Sequence, residues 1–386
     1  MKIPTLSEVA APTVQESMGK MLDFQRNEFQ DSVFNIGMGL SWPLYAGGRL
    51  AAGVRAARAD SRAAAYRLSG IRQKLAFAVT QTYLGIGVAK RSEQAVQASV
   101  RHLSAAETNL QEFVRVGKRP RLDLLRVQAR LEQTRQLLAD TQAALVTVRG
   151  NLRRLLDLDP SGPPLALAAP NGTPDVTLAL QPLAAAIHTA LLNRPDYRAL
   201  LSGVEARRAQ VSIAEGARLP TVTLAARAWE AHGNRTGAGL PYRSWEPDSQ
   251  IMLSVSVPVF NGGTLRAEEH RERARLEEID NRLTGLAQRV RLQVIQAYAE
   301  LRAARTELLA ARAGRRSADE AFRVERQKTT VGAGTVTDLL DVQAADLSAQ
   351  TSFYQAEADL RVAAAHVELV TGVLDRLATD PSSGVP

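Results

Sequence analysis

The chain has 386 residues, 45% of them hydrophobic but only 5% aromatic, with no cysteine and a formal charge of +8. Its length allows two ordinary domains with a real core, and the lack of cysteine excludes disulfides, thiolate metal sites and cysteine nucleophiles. The basic residues are interleaved with acids, as in Arg266-Ala-Glu-Glu-His-Arg-Glu-Arg, a pattern that fits a solvated helix face better than a nucleic-acid footprint.

The apolar mass is mostly Ala, Leu and Val, as in long packed helices. No run reaches the roughly 18–20 apolar residues of a membrane-spanning helix. Barrel strands give a much weaker signal per segment, so hydropathy alone does not exclude a membrane.

A weak strand is expected at 3–14 and a polar loop at 16–31. Residues 33–45 follow, where Phe34, Ile36, Met38, Leu40 and Trp42 alternate with small or polar residues; that period of two predicts a strand with one apolar face. Pro43 stops the ladder, and Gly47-Gly48 allow a sharp turn. A proline-free helix is then predicted from 49 to 116, roughly 100 Å at 1.5 Å per residue. Gly117 ends it and Pro120 opens a returning helix to about 156. Leu124, Leu131, Leu138, Leu145 and Leu152 recur every seven residues, the seam of a coiled coil. Residues 158–182 read as a Pro/Gly-rich linker and 183–217 as a helix. Strands are expected at 220–229 and 250–260, joined by a polar loop. Pro258 and Gly262-Gly263 turn the chain into a helix near 264–330, and a last helix runs near 337–372. A tail occupies 373–386.

Residues 34–157 repeat without a gap as 249–372, shifted by 215. Pro43 pairs with Pro258, Gly47-Gly48 with Gly262-Gly263, Val116-Gly117 with Val331-Gly332, and Asp123-Leu124-Leu125 with Asp338-Leu339-Leu340. Constant spacing over this length marks two copies of one large unit. The predicted organisation is a first repeat at 1–157 with its hairpin at 49–157, and a second at 183–372 with its hairpin at 264–372. The first copy has no counterpart of 183–217. The expectation is an upstream coding extension supplying that helix and a signal peptide.

Four strands cannot close a barrel, and open edges in lipid leave backbone groups unpaired. Hairpins of this length cannot bury their apolar stripes within one chain either. A symmetric ring solves both problems, pooling strands into a barrel and hairpins into a tube.

The two Pro-[Leu/Val]-[Tyr/Phe]-x-Gly-Gly strand ends, the paired Val-Gly…Asp-Leu-Leu tips and Asn193-Arg-Pro-Asp-Tyr197 resemble the TolC-like outer membrane efflux proteins over residues 3–374. The resemblance implies a mainly α fold with a small β part. Three chains would form a twelve-stranded barrel in the outer membrane and a twelve-helix α-barrel in the periplasm. It also implies a passive exit duct for tripartite efflux or type I secretion, partnered by a periplasmic adaptor and, indirectly, an inner-membrane pump. By the same match Asp338 and Asp341 line the periplasmic constriction, with Asp123 as the first-copy equivalent of Asp338. Three residues apart, Asp338 and Asp341 share a helix face, and a ring of such carboxylates attracts cations. The alternative is that acids in a helix's first turn merely offset its macrodipole. Some members place an arginine and a tyrosine where this chain has Gly334 and Thr329, so any latch is built differently here; Lys118, Arg119 and Arg121 are candidate positive partners. Gly117, Lys118, Arg119, Gly332, Gly334 and Thr335 form the expected adaptor-docking tips.

No cofactor, metal or nucleic acid is expected. The five histidines (His102, His188, His232, His270, His366) show no ligand spacing. No catalytic constellation or phosphate loop occurs. The competing reading is a soluble coiled-coil adaptor or scaffold, which accounts for the hairpins but leaves the alternating strands unexplained. The transported substrate is not legible.

Overall fold

The computed structural model describes residues 33–159, 162–163, 165–168, 181–233, 246–331 and 333–374. The strand expected at 3–14, most of the 158–182 linker, most of the tail and Gly332 lie outside the described residues. In chain order the elements are β1 (Val33–Ala46), α1 (Arg49–Arg115), α2 (Arg121–Leu155), α3 (Leu183–Asn193), α4 (Pro195–Gly216), β2 (Thr221–Gly233), β3 (Glu246–Ser256), α5 (Thr264–Thr330) and α6 (Val336–Thr371). Helices α1 and α5 are each 67 residues long.

These elements fall into two compact units that cross-cut the sequence repeat. Among the described residues, one joins those from Val33 to Gly53 with those of Gln210–Glu272, and the other joins those of Val54–Ala209 with those after Glu272. The first holds an antiparallel sheet in the order β1-β2-β3. Ile36 faces Glu230 and Leu40 faces Ala226 in one ladder; Ala226 faces Ile251 and Leu224 faces Leu253 in the next. The alternating apolar side chains lie open, with Met38 84% and Ile251 79% exposed.

Pro43 does not end the first ladder. β1 passes a register shift between Pro43 and Tyr45 and runs on to Ala46. It is an edge strand among the described residues, so the missing N–H of Pro43 is absorbed at the bulge. In the second copy β3 starts at Glu246 and stops at Ser256, not at the expected 250 and 260. Val257 lies just before Pro258, which has no N–H to give a ladder. Both strand-to-helix turns are left-handed, with φ of 62° and 77° at Gly47 and Gly48, and 63° and 82° at Gly262 and Gly263. Only residues without Cβ adopt such runs readily.

The helical unit is built from α1–α6, less the start of α1, the end of α4 and the start of α5, which belong to the sheet unit. Along α2 the expected seam is visible as buried Val127, Leu131, Thr134, Leu145 and Leu152. Thr134 satisfies its hydroxyl by donating to the Arg130 carbonyl at 2.8 Å, which lets a polar residue sit in an apolar seam. Helices α3, α5 and α6 meet through small residues, Ala186, Ala190 and Ala297, packed beside Val290, Val294 and Val370. Further along, Leu301, Leu308, Phe353 and Leu360 form a second cluster between α5 and α6. Glu357 of α6, its side chain 10% exposed, pairs with Arg91 of α1 and with Arg361.

The helix expected over 183–217 is two helices. The chain leaves helical geometry at Arg194 (φ −60°, ψ 123°) because Pro195 disfavours the α region for the residue before it. Arg194 then holds the break. Its guanidinium donates to both carboxylate oxygens of Asp196 at 3.0 and 2.7 Å and to Gln293 of α5 at 2.6 Å. Burial alone would raise the Asp196 carboxyl, but these bonds and the Arg194 charge outweigh it and hold the group below its usual range.

Candidate functional site: the two helical tips

At the first tip, the N–H of Gly117 donates to the Val114 carbonyl (3.0 Å) and that of Lys118 to the Phe113 carbonyl (2.8 Å). These are the two bonds of a Schellman motif, which needs a left-handed residue at Gly117; its φ is 74°. Pro120 caps α2 with its own backbone rather than a side chain. Asp123 sits in the first turn, its N–H bonded to the Pro120 carbonyl at 3.1 Å. We expect Gly117→Val to destabilise this turn by roughly 1–2 kcal/mol, read as faster amide exchange at Lys118. Unchanged exchange would show that the turn tolerates the strain.

At the second tip, 215 residues on, the N–H groups of Ala333 and Gly334 both donate to the Lys328 carbonyl, at 2.8 and 3.1 Å. Thr335 is the N-cap of α6. Its hydroxyl oxygen accepts from the Asp338 N–H at 3.1 Å and donates to the Asp338 carboxylate at 2.7 Å. This has the first half of a capping box, but the carboxylate takes the Thr335 hydroxyl rather than the Thr335 N–H. Asp338 therefore has a structural task within its own helix. Asp341, one turn on, is exposed and takes no part in the cap. Gly334 is enclosed: a Cβ there would lie 2.5 Å from a Glu325 carboxylate oxygen and 2.8 Å from the Thr329 hydroxyl.

The tips are tied together. Arg119 donates to the Gly334 carbonyl at 3.1 Å, and Arg126 of α2 donates to the Thr337 hydroxyl of α6 at 2.8 Å. Of the three candidate cations, Arg119 thus reaches across, but to a carbonyl. Among the described residues neither Lys118 nor Arg121 pairs with a carboxylate. Beneath the tips lie Leu103 and Leu110 of α1, Val127 and Leu131 of α2, and Val336 of α6. A cavity of about 400 Å³ opens beside them.

Sequence patterning did not single out a polar stretch just behind the tips. Ser99 and His102 of α1 face Gln343 and Asp346 of α6 there. The signal was present in the heptad. Val336, Leu339, Gln343, Asp346, Gln350 and Phe353 follow the three-four spacing of a seam, and three consecutive members are polar.

This arrangement of strands, long hairpins and tips has a clear counterpart among known proteins. The model of a family described as outer membrane efflux protein matches residues 12–157 and 186–373. The chain belongs to the outer membrane efflux protein family. It is 26% identical over 351 residues to Protein CyaE of Bordetella pertussis, covering 88% of this chain and 71% of that one. Over 314 residues it is 26% identical to the Alkaline protease secretion protein AprF of Pseudomonas aeruginosa, covering 78% of this chain and 62% of AprF. A solved structure of CusC, described in terms of transmembrane channel formation, superimposes with a TM-score of 0.76 over 95% of this chain and 88% of that one at 18% identity; at that identity the match speaks for the fold. Membership assigns the chain to the outer membrane and makes it a transport protein rather than an enzyme. Among the described residues no helix is long and apolar enough to cross a membrane.

Proposed function

We propose that this chain is one protomer of a trimeric exit duct for efflux or type I secretion, passive and gated at its periplasmic helical tips. The observation that carries the reading is the sheet. Ile36, Met38, Leu40 and Trp42 on β1, and Ile251, Leu253 and Val255 on β3, are all more than half exposed. Soluble proteins rarely leave so contiguous an apolar face open. β1 and β3 each lack a second neighbour among the described residues, and unpaired backbone edges are not tolerated in lipid. Strands pooled from several chains satisfy both the face and the edges, and the TolC-like resemblance supplies the number three. A soluble coiled-coil scaffold has no use for such strands.

In this reading Asp338 and Asp341, with Asp123, bring carboxylates to the narrow end, and the tip residues Gly117, Lys118, Arg119, Gly332, Gly334 and Thr335 receive a periplasmic adaptor, through which an inner-membrane pump connects. The names of the relatives include both efflux and protease secretion.

Electron microscopy of the detergent-extracted protein tests the assembly. A threefold tube roughly 100 Å or more long, with a detergent belt at one end, is expected; a detergent-free monomer or slender rod overturns the proposal. The tip ties have their own test. Arg119→Ala with Arg126→Ala removes both cross-tip bonds and is expected to raise resting conductance in planar bilayers several-fold. Conductance equal to the parent channel would mean that these bonds do not hold the tips closed.

A further inference from the structure

The polar stretch behind the tips does not fit the way coiled-coil seams are filled. Asp346 is buried, 7% exposed. Its Oδ2 accepts from the Gln350 side-chain amide at 2.7 Å, while its Oδ1 is buried with no hydrogen-bond partner. An unpaired buried carboxylate oxygen is costly. The repeat sharpens the point. Counting back 215 places leads to Leu131, which is 1% exposed in the seam of α2. The fold therefore packs a leucine at this register in one copy and keeps an acid in the other. Breaking a packing rule in this way is what functional sites do.

Asp346 lines a cavity of about 320 Å³ whose other walls include Ser99, His102, Phe322, Gln343 and Gln350. Its polar lining combines a set of acceptors with a second carboxylate, Asp319, and with the guanidiniums of Arg323 and Arg326. Gln343 spends its NH2 on the Ser99 hydroxyl at 3.0 Å and Gln350 spends its NH2 on Asp346, which leaves both amide oxygens uncommitted. Burial, then the charges of Arg326 and Arg101, push the His102 imidazole below its usual range against the opposing pull of Asp346, which favours the neutral ring with its acceptor nitrogen. Each guanidinium in or beside the cavity has a partner of its own. Arg315 lies 4.1 Å over the Phe353 ring, Arg323 pairs with Glu320 at 2.6 Å, and Arg326 lies over Phe322. Among the described residues no three His, Asp or Glu side chains are grouped to hold a metal ion. The chemistry that complements this lining is a compact monocation that donates hydrogen bonds. The cavity shares His102, Phe322, Arg326 and Gln343 with the roughly 400 Å³ apolar chamber beneath the tips, which is lined by Leu103, Leu110, Phe113 and Val336.

We infer that this paired cavity binds an organic ammonium with an apolar body: the ammonium donates to Asp346 Oδ1 and the acceptors beside it, and the body fills the chamber under the tips. A ligand held there contacts α1, α5 and α6 together and so biases how the two hairpins pack. The inference concerns the helical unit of a single chain and does not depend on the duct reading.

Isothermal titration of the purified full chain with 2-phenylethylammonium chloride tests it, with 2-phenylethanol as the uncharged probe of the same shape. The ammonium is expected to bind roughly tenfold or more tightly than the alcohol, and to lose at least that factor in Asp346→Asn, as befits a hydrogen bond to a charged group. Asp346→Leu, which copies the first repeat, is expected to lose binding as well while raising the thermal midpoint of the helical unit; that second readout shows the variant is folded. Equal binding of the alcohol, ammonium binding unchanged in both variants, or no binding to the parent chain overturns the site. Loss of binding with a lowered midpoint in both variants also overturns it, because Asp346 would then be a packing residue.

Discussion

Leu308→Ala is expected to destabilise the helical unit by roughly 2–5 kcal/mol. Leu308 is 0% exposed and packs in the middle of α5 against Leu301, Phe353 and Leu360. Helices of this length cannot collapse sideways to refill the space without moving neighbours along their whole length, so the cavity term is added in full to the lost transfer energy. Guanidinium titration followed by far-ultraviolet circular dichroism measures it, with the midpoint falling and the slope unchanged. A midpoint within error of the parent would mean that the α5–α6 seam is not the core of this unit.

The second large effect is expected on ion selectivity. In the proposed channel, Asp341→Asn removes one carboxylate per chain from the narrow end and should shift the reversal potential under a salt gradient toward that of a non-selective pore. Asp341 is the cleaner probe, because Asp338 also accepts the Thr335 hydroxyl in the cap of α6. Asp338→Asn weakens that cap as well as the ring charge, and first-turn acids contribute typically about 0.3–1 kcal/mol through the macrodipole. The pair of variants separates the two roles. Loss of selectivity in both, with a lowered melting point only in Asp338→Asn, is the expected pattern. If the reversal potential stays put in both while Asp338→Asn alone lowers stability, Asp338 is a helix cap and neither carboxylate sets selectivity.

The distinction matters for the tips as a whole. Arg119 and Arg126 bind a carbonyl and a hydroxyl across the two tips, so the ties are neutral at their accepting ends. Charge-assisted bonds to neutral acceptors are less sensitive to salt than ion pairs between exposed groups. A latch of this kind would hold over a wide range of ionic strength.

Much of this was legible in the sequence for a simple reason: long-period patterns depend on local geometry. A heptad, an alternating strand and a glycine pair each report a backbone repeat of 3.5, of 2 or a left-handed turn. The sequence by itself carried the pattern that recurs after 215 residues, the long helices, the alternating strands and the family resemblance. It also held the Asp346 anomaly, since Asp346 aligns with Leu131, but a polar seam position has no meaning until its burial is known. Only the tertiary structure decided that Oδ1 of Asp346 is enclosed and unpaired, that Arg119 reaches Gly334 rather than an acid, and that Asp338 is tied to Thr335. The break at Arg194 and the bulge after Pro43 were likewise settled by the backbone, which chose between a kink, a stop and a bulge at each proline. Those outcomes depend on which groups from distant segments compete for the same donor or the same space. Gln343 of α6 and Ser99 of α1, which meet behind the tips, are 244 positions apart, and no local period records that they will touch.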